Sequence, residues 1–445
     1  MIKEKIVKIA FYTLGCKVNQ YETDLMIEKF KEKEYEIVDF NDISDIYVIN
    51  SCSVTNMSTR KTRQVLSKAK KSGGITVLAG CYAQEVMDKE NITLLKNVDL
   101  VIGNEEKNNI VSIVEEYIKD NEKISQKNKN ITFKVSDISK VKKYTQKDVL
   151  HTGINIRESV KIEDGCNNFC SYCIIPYVRG RVRSRNIEDI VFEVENLVKS
   201  GVGEVVLVGI EIASYGLDLN ENISLIDVIE RVNKIDGLKR IRLGSIEPRV
   251  LTDDVIDRLS KVNKLCHHFH ISVQSLDNNV LKRMNRKYKR EDIFNIVEKI
   301  KEKMPSSAFT CDIIVGFPGE TDEEFLNTID GVKQVGFYEV HAFKYSKRKW
   351  TIAAKMENQV DGNVANKRSE TLIELAKKLK LEYMSRYLGR QEEVLIESYK
   401  NGYLYGFTSN YIKVKIKGDR KLWGCLLKIE LDSIKEDLIL GDICQ

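Results

Sequence analysis

The 445-residue sequence lacks the motifs of several common enzyme classes. It contains no Walker loop, no Ser/His/Asp combination and no strong zinc-binding spacing, so P-loop hydrolysis and serine-type acyl transfer are not indicated. Its 5 histidines include His267, His268 and His270, near one predicted strand, where histidine more often packs or positions than catalyses. The chemistry is therefore expected from other residue types.

Long apolar segments are also missing. No stretch approaches the roughly 20 apolar residues that span a bilayer. Residues 1–16 combine a basic start, an apolar run and Leu-Gly-Cys, but the run is only about six residues long and Lys8 interrupts it, which is too short for an export signal. The 10 cysteines then indicate a reducing compartment and metal binding, not disulfides. We expect a soluble, cytoplasmic protein with no membrane partner.

The net charge of +5 is a mild excess that does not by itself indicate nucleic acid. Lysine and arginine are, however, concentrated in five clusters, interleaved with Tyr288, Tyr345 and Tyr411. The clusters are residues 60–71, 179–185, 282–290, 344–349 and 413–421. Each cluster alone is most simply a solvated face, whereas several together favour a folded RNA as the partner.

The first part of the chain, residues 4–118, alternates strand and helix patterns and predicts an α/β domain with a doubly wound, mainly parallel sheet. Cys16, Cys52 and Cys81 each follow a predicted strand, and the carboxyl ends of parallel strands meet at one edge of a sheet. Separate buried cysteines are common, but the shared position of these three predicts that they converge. The predicted strands are residues 6–13, 46–50, 75–79 and 98–102.

Three further segments follow. Residues 119–151 are polar and predict a linker with one short strand at 131–135. Residues 152–383 alternate strand and helix about six times and predict a partial (β/α)6 barrel, whose chemistry belongs at the carboxyl ends of its strands. Residues 384–445 are short β-rich runs with glycine at the turns and predict a small five-stranded β-barrel, either purely structural or RNA-binding.

The most informative segment carries Cys166, Cys170 and Cys173 in the spacing Cys-x3-Cys-x2-Cys, directly after the first predicted barrel strand. Three thiolates are one fewer than a structural four-cysteine zinc or iron–sulfur site uses. On a four-iron cluster, three protein ligands leave one iron open for an exogenous ligand. The spacing alone also allows a zinc site that lacks its fourth ligand, or a chance cluster.

The residues around both sets of cysteines resemble those of the radical S-adenosylmethionine (SAM) methylthiotransferases. The resemblance is carried by residues 164–180, Asp-Gly-Cys-Asn-Asn-Phe-Cys-Ser-Tyr-Cys-Ile-Ile-Pro-Tyr-Val-Arg-Gly, by Arg-Ser-Arg at 183–185, and by Leu-Gly-Cys-Lys-Val-Asn-Gln-Tyr-Glu-Thr at 14–23. It covers nearly the whole chain. It implies a methylthiotransferase N-terminal domain, a radical SAM core barrel and a C-terminal TRAM domain, which is an RNA-binding barrel of tRNA-modifying enzymes.

The resemblance also implies the cofactors, namely two [4Fe–4S] clusters and SAM. Cys166, Cys170 and Cys173 match the ligands of the cluster that binds and cleaves SAM, and Cys16, Cys52 and Cys81 match those of a second, sulfur-carrying cluster. No catalytic residue beyond these ligands is implied. The expected SAM-binding residues are Gly203, Glu204, Gln274, Ser275, Arg286, Asp312, Gly316 and Phe317. The glycines among them are also ordinary turn residues, and the turn after Gly316 could equally be a tight connection capped by Thr321.

Two short segments resemble one branch of the family. These are Lys-Val-Asn-Gln-Tyr-Glu after Cys16 and Arg-Leu-Gly-Ser-Ile-Glu-Pro at 242–248. This branch converts N6-threonylcarbamoyladenosine at position 37 of tRNA to its 2-methylthio form. The implied partners are the tRNA anticodon loop, an electron donor and a sulfur source. The alternatives are the branches that act on isopentenyladenosine 37 or on a ribosomal-protein aspartate and, in another class, a catalytically silent RNA-binding protein.

The sequence departs from the family pattern at a few positions, none of them a cluster cysteine. Tryptophan occupies position 350, where the family pattern has glycine. The other departures are Glu211, Gly244, Leu276, Lys344 and Ile352.

Overall fold

The computed structural model describes residues 7–87, 95–122, 131–146 and 155–444. The chain divides into two compact units. The first unit comprises residues 1–150, 164–183 and 346–354, and the second comprises residues 151–163, 184–345 and 355–445. Within the described ranges, no helix combines the length and the apolar character needed to cross a bilayer.

The first unit is built on a six-stranded, all-parallel sheet with the strand order β2-β1-β3-β4-β5-β6. Its elements are β1 (Lys8–Thr13), α1 (Lys17–Glu32), β2 (Glu36–Val38), β3 (Ile46–Ser51), α2 (Asn56–Lys71), β4 (Ile75–Gly80), α3 (Cys81–Glu85), β5 (Leu100–Ile102), α4 (Ile110–Glu122), β6 (Thr132–Lys134) and α5 (Ile175–Val178). The four predicted strands are present, and β2 is an additional one.

Helices cover both faces of this sheet. All six residues of β3 are buried, and they alternate between two hydrophobic clusters. Tyr47 and Ile49 pack with residues of α2, whereas Ile46 and Val48 pack with Met26 of α1 and with residues of α4. Burial on both faces explains the continuous apolar run in this strand and makes the sheet doubly wound, as predicted.

The segment predicted as a linker contributes to this sheet. Its short strand β6 pairs in parallel with β5, so residues 132–134 belong to the first unit's sheet and do not form a free connection. The rest of the predicted linker lies partly outside the described residues, at 123–130 and 147–151. The domain boundaries at 118, 151 and 383 stay predictions.

The second unit contains a partial barrel of parallel strands. A three-stranded sheet, β7-β10-β11, and a four-stranded sheet, β12-β13-β14-β15, are connected by a single bridge from Ile241 to Leu265. β11 ends at Leu243, and the chain forms a second short strand, β12, after Gly244. The strands are β7 (Arg157–Lys161), β8 (Glu163–Asp164), β9 (Arg183–Ser184), β10 (Glu204–Val208), β11 (Arg240–Leu243), β12 (Ser245–Ile246), β13 (His268–Gln274), β14 (Ala308–Val315) and β15 (Glu339–Lys344). The short β8 and β9 lie where the chain passes from one unit to the other.

The helices between these strands carry the expected capping residues. Thr321 and Glu324 form a capping box at the start of the helix that follows β14, and Gly336 ends it in a left-handed conformation. The helices are α6 (Ile187–Lys199), α7 (Leu225–Asn233), α8 (Asp253–Leu259), α9 (Asn278–Arg283), α10 (Arg290–Lys303), α11 (Asp322–Val335) and α12 (Gly362–Ser385).

The C-terminal segment is a closed five-stranded barrel with the strand order β16-β17-β18-β20-β19, as predicted. Its strands are β16 (Gln391–Lys400), β17 (Tyr403–Thr408), β18 (Lys413–Lys417), β19 (Leu426–Lys435) and β20 (Leu438–Ile443). Buried branched side chains such as Val394, Leu404, Val414 and Ile429 belong to one core cluster together with Met384 of α12.

Glycine is required where β4 passes into α3. Gly80 has φ +90°, and a Cβ there would lie 2.5 Å from Asn50 Oδ1 and 2.6 Å from the Ser51 carbonyl oxygen. The close approach of β3 and β4 at this point therefore depends on the missing side chain. Cys81 follows immediately, so this contact fixes its position.

We predict that Gly80→Ala destabilises the first unit more than Gly73→Ala does. Both residues have positive φ, but a Cβ at Gly73 meets nothing within 4 Å. Gly73→Ala is expected to cost about 1–2 kcal/mol from backbone strain alone, and Gly80→Ala at least about 1 kcal/mol more because of overpacking. Urea unfolding of the two variants measures the difference, and equal losses would contradict the proposed role of the close approach.

Candidate metal centre

Three cysteines of the first unit lie at the carboxyl edge of its sheet. Cys16 precedes the first residue of α1, Cys52 directly follows β3, and Cys81 is the first residue of α3. After β1 the chain first forms β2 on one side of β1 and then β3 on its other side. The carboxyl ends of β1 and β3 are therefore the switch point of the sheet. Open α/β sheets bind their ligands at such points.

The three thiols are close enough to influence one another. Burial, together with the neighbouring Cys81 and Cys16, raises the pKa of the Cys52 thiol to about 12. Cys16 is exposed to solvent, yet the surrounding protein still raises the pKa of its thiol, against the opposing effect of Arg179. Thiols with raised pKa values stay protonated in the metal-free protein, so binding of a metal must release protons.

Arg179 connects these cysteines to the second cysteine set. It follows α5 and is fully buried. Its Nη2 donates to Glu22 Oε2 at 3.0 Å and to the side-chain oxygen of Asn19, and its Nε donates to Cys81 Sγ at 3.2 Å. Glu22 also forms a buried ion pair with Lys107. One carboxylate on α1 therefore contacts two buried cations.

The network keeps a positive charge beside the Cys81 sulfur. Burial by itself lowers the pKa of Arg179, but Cys81 and Glu22 raise it well above its usual value, so the guanidinium remains charged. Asn104 adds an amide group 3.9 Å from the same sulfur and donates its second hydrogen bond to the Val178 carbonyl oxygen at 2.6 Å. Donors around a sulfur stabilise the thiolate that binds metal. These residues fit an iron–sulfur cluster held by Cys16, Cys52 and Cys81.

The second set of cysteines lies on one tightly closed loop of the same unit. The Cys166 amide donates to the Gly180 carbonyl oxygen at 3.1 Å, and the Cys173 amide donates to that of Cys170 at 2.9 Å. Gly165 has φ +87°, and a Cβ there would lie 1.9 Å from the Arg181 carbonyl oxygen. Only glycine allows this closure. Three thiols on one short loop fit a cluster with three protein ligands.

The two cysteine sets are near one another. Cys81 belongs to a hydrophobic cluster with Ile174, the residue after Cys173, and with Val178. Both sets lie in the first unit. The juxtaposition agrees with the expectation that two cofactors act together.

Two expected SAM-binding residues lie elsewhere. Gly203 and Glu204 are at the amino-terminal start of β10, the opposite end of the strand from the carboxyl edge where the chemistry is expected. The Glu204 carboxylate is completely buried and accepts a hydrogen bond from Arg242 Nε at 2.6 Å. Although burial opposes it, Arg242 lowers the pKa of Glu204. The structure does not support the prediction that Gly203 and Glu204 bind SAM, because Glu204 already forms a buried ion pair.

Three more expected SAM-binding residues are used by the fold. Ser275 is buried, and its hydroxyl lies 3.1 Å from that of Thr328 on α11. Phe317 is fully buried with its ring edge against Tyr345, 5.6 Å between centroids, so its side chain offers no surface to a ligand. The Gly316 amide donates to Glu320 Oε2 at 2.6 Å, which closes the turn. The contacts of Gly316 and Phe317 fit a tight connection between strand and helix better than a SAM-binding turn.

The remaining expected SAM-binding residues lie on or just after neighbouring strands. Gln274 ends β13 in a left-handed conformation, φ +66°, and Arg286 Nη2 donates to the Ser272 carbonyl oxygen of the same strand at 2.8 Å. Asp312 on β14 lies with His270 and His341 in a polar cluster in which one carboxylate oxygen and one ring nitrogen of each histidine lie within 4.8 Å of one another. The sequence analysis did not find this cluster, because only the parallel register of β13, β14 and β15 brings its members together.

Several basic residues assigned to a solvated or RNA-binding face are buried. Arg179 is one, and Arg348 is another, with its guanidinium 2.8 Å from a Glu85 carboxylate oxygen. Tyr288 is also buried. The sequence around an arginine or a tyrosine in a basic cluster gives no sign that the side chain is buried. The assignment of these three residues to an exposed face was therefore wrong. Arg183 and Arg185 of the cluster 179–185 are buried too, so only the exposed members of the clusters stay candidates for RNA contact.

Comparison with known proteins identifies relatives of nearly full length. Family models match as the Radical SAM superfamily over residues 160–332 and as the uncharacterized protein family UPF0004 over residues 8–103. The threonylcarbamoyladenosine tRNA methylthiotransferase MtaB of Bacillus subtilis (strain 168) is 40% identical, over 95% of this chain and 93% of that protein. MtaB of Aquifex aeolicus (strain VF5) is 36% identical, over 95% of this chain and 100% of that protein.

A relative with a different stated substrate is also similar. The tRNA-2-methylthio-N(6)-dimethylallyladenosine synthase of Lachnoclostridium phytofermentans is 36% identical, over 97% of this chain and 94% of that protein. Among solved structures, the radical S-adenosylmethionine methyltransferase TsrM from Kitasatospora setae aligns with a TM-score of 0.56 at 12% identity, over 76% of this chain and 72% of that chain. This last similarity shows the fold alone.

We predict that Arg179→Met strongly destabilises the metal-free protein. The substitution leaves Glu22 paired with Lys107 but removes the guanidinium donors from buried acceptors, and buried hydrogen-bonding groups left unsatisfied cost about 1–3 kcal/mol. Arg231→Met is the matched control, because Arg231 and its partner Glu188 are 46% and 65% exposed. The control is expected to change the free energy of unfolding by less than about 0.5 kcal/mol. Similar losses in both variants, measured by urea unfolding, would show that the buried network is unimportant.

Proposed function

Because the chain belongs to the radical SAM tRNA methylthiotransferase family, we propose that it converts N6-threonylcarbamoyladenosine at position 37 of tRNA to the 2-methylthio derivative. The single structural observation that carries this proposal is the juxtaposition of two cysteine sets in one compact unit, with Cys81 packed against Ile174 beside Cys173. The MtaB relatives support the choice of substrate. We also propose that the nucleotide that is modified lies in the anticodon loop of the tRNA.

The family uses SAM and a [4Fe–4S] cluster. We assign this cluster to Cys166, Cys170 and Cys173, and a second one to Cys16, Cys52 and Cys81. When bound, the two clusters would supply, respectively, the electron that cleaves SAM and the sulfur that is transferred. A C2–H bond of adenine is too strong and too weakly acidic for removal by a side-chain base, which agrees with the absence of an acid–base constellation in the sequence.

The protein's own residues hold and shield the sulfur atoms. Cys52, Cys81, Cys166 and Cys170 are buried, which limits access of water and oxidants to their thiolates. Arg179 fixes the position of the Cys81 sulfur by its hydrogen bond and charge. Asn19 and Glu22, which hold Arg179, come from the segment after Cys16 that resembles the threonylcarbamoyladenosine branch. That segment therefore has a structural role beside the cysteines.

Residues near the carboxyl ends of the second unit's strands remain candidates for contacts to SAM or substrate. We propose Gln274, Arg286 and Asp312 for this role, since Gln274 ends β13, Asp312 lies on β14, and Arg286, which follows α9, donates to the Ser272 carbonyl oxygen of β13. The C-terminal barrel is proposed as an RNA-binding module. Its surface carries lysines such as Lys415, whose ammonium group lies 4.0 Å from the centre of the Tyr403 ring. Cations combined with aromatic rings are typical of RNA-binding surfaces.

We predict two separable clusters. Reconstituted protein should contain about eight iron atoms per chain, four in each cluster. Replacing Cys166, Cys170 and Cys173 by alanine should leave about four and abolish SAM cleavage, since the SAM-binding cluster is lost. Replacing Cys16, Cys52 and Cys81 should also leave about four, but SAM should still be cleaved without sulfur insertion.

The matched control for the iron measurement is Cys425→Ala, which removes a cysteine of neither set and should retain all the iron. Iron analysis and assays of SAM cleavage under anaerobic conditions measure the outcomes. Zinc in either site, or no iron after reconstitution, would refute the assignment.

The substrate is tested by nucleoside analysis of tRNA from a strain that lacks the gene. We expect N6-threonylcarbamoyladenosine to persist and its 2-methylthio form to disappear, because modification of the base precedes methylthiolation. Reintroduction of the gene should restore the product, and a gene with the Cys166 set replaced should not. Loss of 2-methylthio-isopentenyladenosine instead would show that the enzyme belongs to the other branch.

A further inference from the structure

A short segment of the first unit, residues 346–354, carries a tryptophan in a strained conformation. Trp350 has φ +68°, in the left-handed region, where the family pattern has glycine. A residue with a Cβ costs about 1–2 kcal/mol there. Such an outlier persists only where the surroundings enforce it, and it points to a function of the side chain.

The segment is held firmly to the rest of the first unit. Arg348 donates to both carboxylate oxygens of Glu85, at 3.0 and 2.8 Å, and to Asn56 Oδ1 at 2.6 Å. The Ala353 amide donates to the Ser171 carbonyl oxygen at 2.8 Å, within the loop between Cys170 and Cys173. Trp350 is thus fixed beside the loop that carries the second cysteine set.

The indole is part of an aromatic platform, which we define as Phe169, Tyr177 and Trp350. The Tyr177 ring centre lies 6.2 Å from that of Trp350 and 5.8 Å from that of Phe169. Tyr177 and Trp350 are each 38% exposed. Large exposed rings on a rigid backbone provide surface for stacking at little cost in conformational entropy.

Two cations flank the platform. The Arg181 guanidinium lies 4.3 Å from the centre of the Phe169 ring, and the Lys349 ammonium group lies 5.5 Å from that of Trp350. Both side chains are exposed. Each cation lies over a ring face, so the platform is cationic as well as aromatic; a purely apolar protein partner would not favour this, whereas a nucleotide presents a flat base beside an anionic phosphate.

We infer that the aromatic platform stacks an unpaired base of the RNA substrate, next to the nucleotide that is modified, while Arg181 and Lys349 contact its phosphates. The inference rests on the proposed function in one respect, namely that the partner is an RNA with a single-stranded loop. A glycine at position 350 would leave the platform without its largest ring.

The two tryptophans of the chain make a direct measurement possible. In a Trp423→Phe background, Trp350 is the sole source of indole fluorescence. Titration with an anticodon stem-loop RNA, without SAM, should quench this emission in parallel with binding measured by filter retention. RNA binding without a change in Trp350 emission would overturn the inference.

Affinity gives a second, independent readout. Trp350→Gly should weaken binding of the stem-loop roughly tenfold, within the range for loss of one stacked base, while Trp350→Phe should retain most of the affinity. Glycine suits the left-handed backbone, so this variant should also unfold at no lower urea concentration. Lys349→Ala should reduce the slope of log affinity against log salt by about one phosphate contact.

The matched control is Phe192→Ala, which removes a ring that is 52% exposed on α6. Unchanged affinity in Trp350→Gly, or an equal loss in the control, would overturn the inference. Binding is measured without SAM and without product formation, so its result is independent of the nucleoside analysis. Quenching and the tenfold loss would support the platform even if the modified nucleoside proved to be a different one.

Discussion

The buried Arg179 guanidinium is the interaction on which the candidate site depends. It belongs to the segment after the Cys166 loop, yet its partners Asn19 and Glu22 lie on α1 and its third partner is the Cys81 sulfur. One side chain therefore holds together three segments that are far apart in sequence. Its charge is tolerated without water because Glu22 and Asp164 both pair with it and hydrogen bonds occupy its nitrogen atoms.

Two glycines make this arrangement possible, because the missing side chains let backbone segments approach each other closely. Gly80 lets β3 and β4 approach directly before Cys81, and Gly165 lets the Cys166 loop close against the Arg181 carbonyl. At both positions φ is positive and a side chain would overlap backbone or side-chain atoms. The cysteines are thus positioned by rigid strand ends and a closed loop, which suits ligands that must keep a fixed geometry.

The second unit shows how a functional motif and a structural one can look alike in sequence. Glycine followed by glutamate at 203–204 resembles a SAM-binding motif, but Glu204 lies at the start of β10 and pairs with Arg242. Arg242 also donates to the Ser409 carbonyl oxygen of the C-terminal barrel at 3.1 Å. The pair therefore joins the partial barrel to the small barrel. The buried charge in this place takes part in a contact within the fold.

The sequence by itself determined the fold class, the five-stranded barrel and the convergence of Cys16, Cys52 and Cys81, because period, turn residues and strand ends are local properties. The spacing of Cys166, Cys170 and Cys173 and the residues around them are likewise local, and together they carry the resemblance to the family. Only the tertiary structure decided which charges are buried, since Arg179 and Arg348 look in sequence like surface arginines. It also decided that Phe317 and Ser275 pack inside the fold and that Trp350 joins Tyr177, because these contacts join residues from segments distant along the chain and no local pattern encodes them.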